Sequence, residues 1–285
     1  MKKKVLVLAA AMSCTMNVLA QTTTDSEAFL TDEERPDGTL FIPAPPDMLS
    51  SEFYNDFYYY QWGKDQREDA YALNWAIEDE TVALNIAFSE ALGIEISEEN
   101  TPEIYELVNR AKEDAHSANK KVKDFYQRTR PFATFKDATP RPEVDEKEAT
   151  SFSYPSGHSS RGWMYALTLC TVAPEMSEAL NLRAQVYALN RVIMGRHWKS
   201  DIDNSLLLTA TVFAAVSSSD AYQEQLAKAK AEYAEKKAQL TDNVRSTIDT
   251  DRKAIQAFYD LAGRRAMAPT APGLYIHDGK KVFVK

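Results

Sequence analysis

Apolar residues recur at steps of three and four along most of the chain, which is the spacing of one face of a helix. This pattern predicts helical structure from Ser51 to Leu92 and, after a break at Gly93, a helix from about Glu103 to Arg128. Five further helices are predicted, from about Ser159 to Thr171, Ser177 to Met194, Trp198 to Ser217, Tyr222 to Gln239, and from a cap at Thr241-Asp242 to near Gly263. We therefore expect an all-α protein.

Three segments lack the helical period. Residues 21–50 are acidic and rich in proline, which predicts an extended N-terminal arm, and residues 132–153 predict a loop. Near the end of the chain, Leu274 to Val284 predicts a small β-hairpin that turns at Asp278-Gly279. The chain accordingly divides into the arm (21–50), a helical domain (51–240) and a C-terminal extension (241–285).

The first 20 residues have the pattern of an export signal. Lys2-Lys3-Lys4 precedes an apolar run from Val5 to Met12, and Val18-Leu19-Ala20 supplies a small-residue exit. The apolar run is shorter than the roughly 20 residues needed to span a bilayer. We predict a signal peptide at 1–20, no transmembrane anchor, and a periplasmic or secreted mature protein. The residues before Cys14 lack the leucine of a lipoprotein signal, so we do not expect a lipid anchor.

Composition narrows the possible functions. The 285 residues are 44% hydrophobic, enough to bury a full core. The net charge of -9 argues against nucleic-acid binding, which usually requires basic patches to neutralise phosphates. Besides Cys14 the only cysteine is Cys170, which lies in an apolar helical stretch and is expected to be a small buried side chain.

The first segment with candidate chemistry combines two cations with a helix end. Lys123 and Arg130 are seven residues apart on a predicted helix, two turns along one face, and Pro131 is expected to end that helix. Both cations can therefore enter one pocket. Taken alone, the segment is more typical of a solvated basic face, because Lys120 and Arg128 are close by.

The second segment is Tyr154-Pro155-Ser156-Gly157-His158, where the predicted loop meets a helix. Free backbone N–H groups and the helix dipole favour an anion at such a junction. Ser156 and Gly157 are thus candidate phosphate ligands, with His158 beside the anion. The alternative for this stretch alone is an N-cap serine followed by a surface histidine.

The third segment contains Arg191, His197 and Asp201. Asp201 follows His197 by one helical turn, so its carboxylate can bond one imidazole nitrogen and leave the other facing a pocket. Gly195 is expected to break the preceding helix and to let Arg191 and His197 converge. An ordinary His-Asp pair on a helix surface remains the alternative for this segment by itself.

Together, the three segments resemble the signature of the phosphatidic acid phosphatase type 2 (PAP2) superfamily, which also includes the vanadium haloperoxidases. That signature is a lysine followed after six residues by Arg-Pro, then Pro-Ser-Gly-His, then Ser-Arg followed by His and Asp at fixed spacing. The chain supplies, in this order, Lys123, Arg130-Pro131, Pro155-Ser156-Gly157-His158, Arg191, His197 and Asp201. Asn190 stands where the family usually has serine.

Over roughly residues 40–235 the chain is most similar to the soluble bacterial class A non-specific acid phosphatases. The likeness includes Pro43-Ala44-Pro45-Pro46, Arg130-Pro131-Phe132 and the run from Gly195 to Asp201. Some class A members carry a cysteine in the 132–153 loop, and this chain has none. The resemblance implies a compact helical bundle of the PAP2 and haloperoxidase type, with a short extension beyond it, and is compatible with a homo-oligomer.

The resemblance also implies roles for the site residues. His197 would be the nucleophile that becomes a phosphohistidine, Asp201 would orient it, and His158 would act as the general acid and base. The phosphate oxygens would be bound by Lys123, Arg130, Ser156, Gly157 and Arg191.

These roles predict a metal-independent acid phosphatase without a cofactor, acting broadly on small phosphomonoesters and inhibited by vanadate. The sequence contains no closely spaced cluster typical of a zinc site. A vanadate-dependent haloperoxidase is an alternative, because the same cations can hold vanadate with His197 as its ligand. A soluble lipid-phosphate phosphatase and an exported anion-binding protein are further alternatives.

Overall fold

The computed structural model describes residues 27–255, 258–260, 265–266, 273–277 and 280–284. The predicted signal peptide and Cys14 lie outside these residues. The described residues form ten α-helices: α1 (Phe53–Gln66), α2 (Ala70–Thr81), α3 (Leu84–Leu92), α4 (Pro102–Tyr126), α5 (Pro131–Phe135), α6 (Asp145–Ala149), α7 (Gly157–Val172), α8 (Ser177–Ile193), α9 (Lys199–Ser218) and α10 (Asp220–Ile255).

Helix α7 lies at the centre of a helical bundle and contacts α4, α8 and α9. Its buried side chains include Trp163, Met164 and Leu169, which belong to one large hydrophobic core. On the side facing α8, Gly162 leaves no room for a side chain, because an added Cβ would meet the Tyr187 ring at 2.6 Å. Close contact between the two helices therefore brings the N-terminal end of α7 and the C-terminal end of α8 together. The all-α prediction is confirmed for the bundle.

Local sequence signals account for several helix ends. The Asp69 side chain accepts hydrogen bonds from the first backbone N–H groups of α2. Gly93 ends α3 in the left-handed conformation with φ 82°, which a glycine adopts at little cost. Pro102 begins α4 at a position where its missing N–H is not needed. The single predicted helical region from Ser51 to Leu92 is thus three helices.

Two expectations around Arg130 are wrong. Helix α4 ends at Tyr126, with Gln127 left-handed at φ 50°, so Lys123 and Arg130 do not share a helix. Pro131 begins the short helix α5, because proline is well suited to the first helical position, and Arg130 precedes it in extended conformation. The 132–153 segment is also not a plain loop, since it contains most of α5 and all of α6, with a 3₁₀ turn at Pro142–Val144.

The described part of the N-terminal arm lies against the bundle. The buried carboxylate of Asp114 on α4 accepts hydrogen bonds from the backbone N–H groups of Phe29 and Leu30, at 2.8 and 3.2 Å. Arg35 reaches the same carboxylate at 3.1 Å. Further along, the hydroxyl of Tyr154 donates to the carbonyl of Pro43. The arm is therefore fastened at both ends by buried polar contacts.

The C-terminal region differs from the sequence prediction in one respect. Helix α10 runs without interruption from Asp220 to Ile255, so the predicted cap at Thr241-Asp242 is wrong. The Thr241 hydroxyl donates to the carbonyl of Lys237, four residues earlier, as a threonine within a helix can.

The predicted pairing of the two hairpin strands is confirmed, whereas the predicted turn at Asp278-Gly279 lies outside the described residues. Strand β3 (Gly273–His277) pairs antiparallel with β4 (Lys280–Val284), with His277 opposite Lys280. Two strands that the sequence did not predict complete a sheet of order β2-β1-β3-β4, namely β1 (Phe258–Asp260) and β2 (Arg265–Ala266). The division of the chain into arm, domain and extension stays a prediction. Among the described residues, no helix is both long and apolar enough to cross a membrane.

Candidate active site

A cavity of about 510 Å³ lies where the N-terminal end of α7 meets the C-terminal end of α8. Six of the eight predicted site residues line it: Lys123, Arg130, Gly157, His158, Arg191 and His197. The other two, Ser156 and Asp201, are fully buried behind this lining. The structure therefore brings all three sequence segments to one place.

Gly195 explains how Arg191 and His197 converge. Its φ of 72° turns the chain after α8, as the sequence predicts. The backbone N–H groups of Arg196 and His197 then both donate to the carbonyl of Arg191, at 3.1 and 3.3 Å. The turn places the His197 ring just before α9 begins and close to the last turn of α8.

The hydrogen-bond partners of His197 define its tautomer. Nε2 lies 3.1 Å from Nη1 of Arg130, and a guanidinium can only donate, so Nε2 must accept. Nδ1 lies 3.3 Å from Oδ2 of Asp201, which can only accept when ionised. His197 is therefore neutral, with its proton on Nδ1 and the lone pair of Nε2 on the cavity side.

Asp201 is itself held by several donors. Its Oδ2 accepts from the backbone N–H of Trp198 at 2.8 Å, and its Oδ1 pairs with Arg128 at 2.7 Å. The same guanidinium pairs with Asp56 on α1 at 2.7 Å. The sequence suggested only a solvated role for Arg128, because the two carboxylates that surround it are distant along the chain. Arg128 is instead a buried bridge beneath the site.

His158 lines the same cavity as His197 and is oriented by a different acceptor. Its Nε2 lies 2.7 Å from the carbonyl oxygen of Asp79, close to the end of α2, where carbonyls lack helical partners. Since a carbonyl can only accept, Nε2 carries a proton and Nδ1 is free to exchange one. The ring stacks on Tyr187 at 4.5 Å and 9°.

The side chain of Asp79 anchors this end of α2 to α8. It is fully buried, pairs with Arg183, and accepts from Nδ2 of Asn190 at 2.7 Å. Asn190 is the position where the family usually has serine. Here the Asn190 amide donates to the side-chain carboxylate of Asp79, the residue whose backbone carbonyl orients His158. No local sequence pattern points to Asp79, because its partners lie more than 100 residues away along the chain.

Ser156 and Gly157 form the start of α7, as predicted. The Ser156 hydroxyl accepts from the backbone N–H of Ser159 at 3.2 Å and from its hydroxyl at 2.9 Å, which leaves the Ser156 proton to donate. Gly157 is the first residue of the helix and lines the cavity, and N–H groups at this position have no partner within their helix. The helix start thus offers donors to an anion.

The three predicted phosphate-binding cations come from three different elements. Lys123 donates from Nζ to the carbonyl of Phe152 at 2.6 Å, and Arg130 donates to the Ser151 hydroxyl at 2.9 Å. Arg191 is buried, yet its Nε and Nη1 have no hydrogen-bond partner among the described residues. Buried polar groups usually have partners, so these two groups indicate a ligand site.

Arg130 and Arg191 each face one carboxylate that the sequence did not single out. Glu148 on α6 pairs with Arg130 at 3.2 Å, and Glu80 on α2 approaches Arg191 at 3.4 Å and Arg196 at 3.1 Å. The buried Oε2 of Glu80 has no partner among the described residues. A bound phosphate would share the arginines with these carboxylates.

Burial and neighbouring positive charge change the acidity of the site. Burial, followed by the charge of Arg130, lowers the pKa of Lys123 to about 7. Burial and then Arg130 hold the pKa of His197 well below its usual value, while burial and then Arg191 do the same for His158. Both histidines are therefore neutral in the free cavity. An incoming dianion would favour a proton on Nδ1 of His158, whose Nε2 is already protonated.

Among the described residues, no three or more His, Cys, Asp or Glu side chains are grouped so that they could hold a metal ion. The cavity instead combines two oriented imidazoles with fixed cations and a helix start. Such an arrangement can hold a phosphoryl group by its oxygens while a neutral nitrogen faces the phosphorus.

Comparisons with known proteins agree with this geometry. Residues 115–224 match the PAP2 superfamily, a range that contains all eight predicted site residues. A non-specific acid phosphatase of Providencia stuartii is 35% identical over 212 residues, which cover 73% of this chain and 86% of that protein. One from Salmonella typhimurium is 34% identical, over 74% of this chain and 85% of its own length. An acid phosphatase of Zymomonas mobilis is 24% identical, over 84% and 95%.

The chain belongs to the PAP2 superfamily. Within it, the relatives named above are bacterial acid phosphatases, two of them described as non-specific. The resemblance inferred from the sequence is confirmed.

Proposed function

We propose that this protein is an exported, metal-independent phosphatase that hydrolyses small phosphate monoesters through a phosphohistidine on His197. That it is a phosphomonoester hydrolase follows from its family, whose members named above are acid phosphatases. The observation that carries the mechanism is the unprotonated Nε2 of His197 in a cavity where Arg191 has unpartnered donors. A nucleophile and an anion site share that space.

In the first step, Nη1 of Arg130 exchanges Nε2 of His197 for a phosphate oxygen, the freed Nε2 attacks phosphorus, and the bond from phosphorus to the ester oxygen breaks. With the substrate bound, His158 carries a proton on Nδ1 as well as on Nε2, and the leaving oxygen takes the Nδ1 proton, so an alcohol departs and His158 becomes neutral. The phosphorylated His197 ring is positively charged, and the carboxylate of Asp201 stabilises it. Lys123, Arg130 and Arg191 hold the non-bridging oxygens and stabilise the charge that builds up on them.

In the second step, a water molecule gives a proton to Nδ1 of His158 and its oxygen attacks phosphorus. The bond between phosphorus and Nε2 breaks, inorganic phosphate forms, and His197 returns to its neutral state. The carbonyl of Asp79 supports both steps because it keeps Nε2 of His158 protonated and leaves Nδ1 to exchange the proton. Phosphate departure completes the cycle.

The same site suggests how the enzyme responds to analogues and where it works. Vanadate, which adopts the five-coordinate geometry of phosphoryl transfer, is expected to inhibit by bonding to Nε2 of His197. The pattern of residues 1–20 supports export to the periplasm or the medium. The inner ligands address only the phosphate, which supports broad use of phosphomonoesters.

The direct test is hydrolysis of p-nitrophenyl phosphate at pH 5 to 7 with excess chelator, for the mature protein and for His197→Ala. We expect chelator-resistant turnover that the substitution lowers by at least about a thousandfold, as loss of a nucleophile does. His277→Ala, in strand β3, is the matched control and should keep full activity. Turnover that the chelator abolishes, or that survives in His197→Ala, would refute the mechanism.

A further inference from the structure

The cavity carries far more positive charge than one phosphate group needs. Its lining includes seven lysine and arginine residues and two glutamates, in a chain whose net charge is -9. The basic residues are Lys120, Lys123, Arg130, Arg141, Lys147, Arg161 and Arg191. Such a concentration of one sign focuses the electrostatic potential in a cleft and attracts anions.

The inner part of this charge is already accounted for. Lys123, Arg130 and Arg191 serve the phosphate in the proposed function. The two glutamates, Glu148 and Glu80, each lie against one of these arginines, so they do not offset the remaining cations.

Four cations remain, and two of them have carboxylate partners. Lys120 pairs with Asp124 at 2.7 Å, and Arg141 pairs with Glu143 at 2.8 Å. Surface pairs of this kind contribute little to stability, but the carboxylates offset the charge of these two cations.

The other two, Arg161 and Lys147, have no carboxylate within salt-bridge distance among the described side chains. Arg161 is half-buried on α7, one turn after Gly157, and its Nε donates to the Gly157 carbonyl at 3.2 Å. That bond ties the guanidinium to the helix start that faces the phosphate. Lys147 approaches the same cavity from α6 and is exposed.

The charge of Arg161 is felt by groups in the cavity. Burial, and next the Arg161 charge, lower the pKa of His116, another lining residue. Burial, then Arg191 and Arg161, lower the pKa of His158. Arg161 also lines the same cavity as His158 and is bonded to the Gly157 carbonyl, so its guanidinium can meet a substituent on a small substrate.

We propose that the preferred substrates are phosphomonoesters with a second anionic group, a carboxylate or a phosphate, which Arg161 and Lys147 bind while the reacting phosphate occupies the inner site. This inference rests on the proposed function and adds to it a substrate class. The cavity of about 510 Å³ has room for a small metabolite of this kind. A neutral sugar or alcohol phosphate would leave both outer cations without a partner.

The test compares pairs of substrates that differ in one carboxylate. Glycerol 3-phosphate and 3-phosphoglycerate form a short pair, and 4-methylphenyl phosphate and 4-(carboxymethyl)phenyl phosphate form a longer pair with leaving groups of similar acidity. KM and kcat are measured for the wild type, Arg161→Gln, Lys147→Gln and Lys230→Gln. Lys230 is an exposed lysine on α10 outside the cavity and provides the control.

For the wild type we expect the carboxylate to lower KM about three- to tenfold in at least one pair, as two partly exposed ion pairs allow. The KM of the substrate without the carboxylate, divided by the KM of its partner with the carboxylate, should fall in Arg161→Gln and in Lys147→Gln, more strongly in the former. Raised salt should lower this KM ratio too. Lys230→Gln should leave the ratio as in the wild type.

Equal KM values within both pairs would overturn the inference while leaving the proposed function intact. The inference would also fail if Arg161→Gln and Lys147→Gln weakened both members of a pair equally, because the ratio would then not depend on these cations. No hydrolysis of any substrate would instead contradict the proposed function itself. The outcomes therefore separate the two proposals.

Discussion

Arg130 and Asp201, the hydrogen-bond partners of His197, keep its ring neutral and fix its orientation. Arg130 holds the lone pair of Nε2 on the cavity side, and Asp201 holds the proton on Nδ1. Burial and the surrounding cations keep the pKa of the ring low, so the neutral form persists in acid. This explains in physical terms how a histidine can act as a nucleophile at a pH where an exposed one would be protonated.

Lys123 is expected to set the alkaline limit of activity. It must be protonated to bind phosphate, and its pKa of about 7 means that it loses its proton as the pH rises through that value. We predict that kcat/KM falls above about pH 7, whereas the neutral form of His197 remains available well below it. In Lys123→Arg the cation keeps its proton, so the alkaline fall should move up by about one pH unit or more.

The measurement is a profile of kcat/KM against pH for wild type and Lys123→Arg with the same substrate, so that the ionisation of the substrate cancels. Lys123→Gln should have low activity at every pH. An alkaline limb at the same pH in wild type and Lys123→Arg would show that another group sets it.

Arg128 is expected to matter for stability as much as for activity. It pairs with Asp56 and Asp201, and all three side chains are at least nine-tenths buried. Arg128→Met would leave two buried carboxylates without their cation, which typically costs about 3–5 kcal/mol in the free energy of unfolding. Urea unfolding measures this loss. Lys228→Met removes a surface pair with Glu224 and should leave stability nearly unchanged, so equal effects of the two substitutions would contradict the buried bridge.

At the level of elements, the site depends on where helices begin and end. The start of α7, the end of α8 and the end of α2 each supply backbone groups that the helix itself does not use. The sequence predicted the first two, because Ser156 and Gly195 are local signals. It missed the third, because the carbonyl of Asp79 meets His158 only through the packing of α2 against α8.

The wrong expectations at this level have local causes. Pro131 was assigned to a helix end, yet proline is equally suited to begin one, and here Gln127 ends α4 first. The 132–153 segment lacks an apolar stripe, so its short helices could not be predicted from periodicity. They are held by polar contacts such as that of Arg196 with Asp145 at 2.6 Å.

The contact between α1 and α8 gives a test of helix packing near the site. Gly63 on α1 faces the end of α8, and an added Cβ would meet the backbone oxygen of Val192 at 2.7 Å. Backbone cannot move aside as a flexible side chain can, so Gly63→Ala should lower the free energy of unfolding by about 1–3 kcal/mol.

Denaturant unfolding checks this value. Asp65→Ala, an exposed change on the same helix, should stay within about 0.5 kcal/mol of the wild type. A neutral or stabilising Gly63→Ala would mean that α1 and α8 are not in close contact at this point.

At the scale of the whole molecule, an acidic protein encloses a basic cavity. The net charge of the chain gives no sign of this cavity, whose positive charge became visible only when α4, α6, α7 and α8 were assembled. The sequence motif predicted the inner phosphate site because its residues have fixed spacing. Arg128, Glu80 and Asp79 have partners far away in sequence, and no local pattern points to them.

The central claim is that His197 carries the phosphoryl group between the two steps. The most direct measurement is rapid mixing of the mature enzyme with a phosphomonoester, quenching in alkaline denaturant to preserve phosphohistidine, and mass spectrometry of the peptides. We predict phosphate on His197 in the wild type and more of it in His158→Ala with an activated ester, because water is then no longer deprotonated. Phosphate on another residue, or turnover without any phosphoenzyme, would contradict the account.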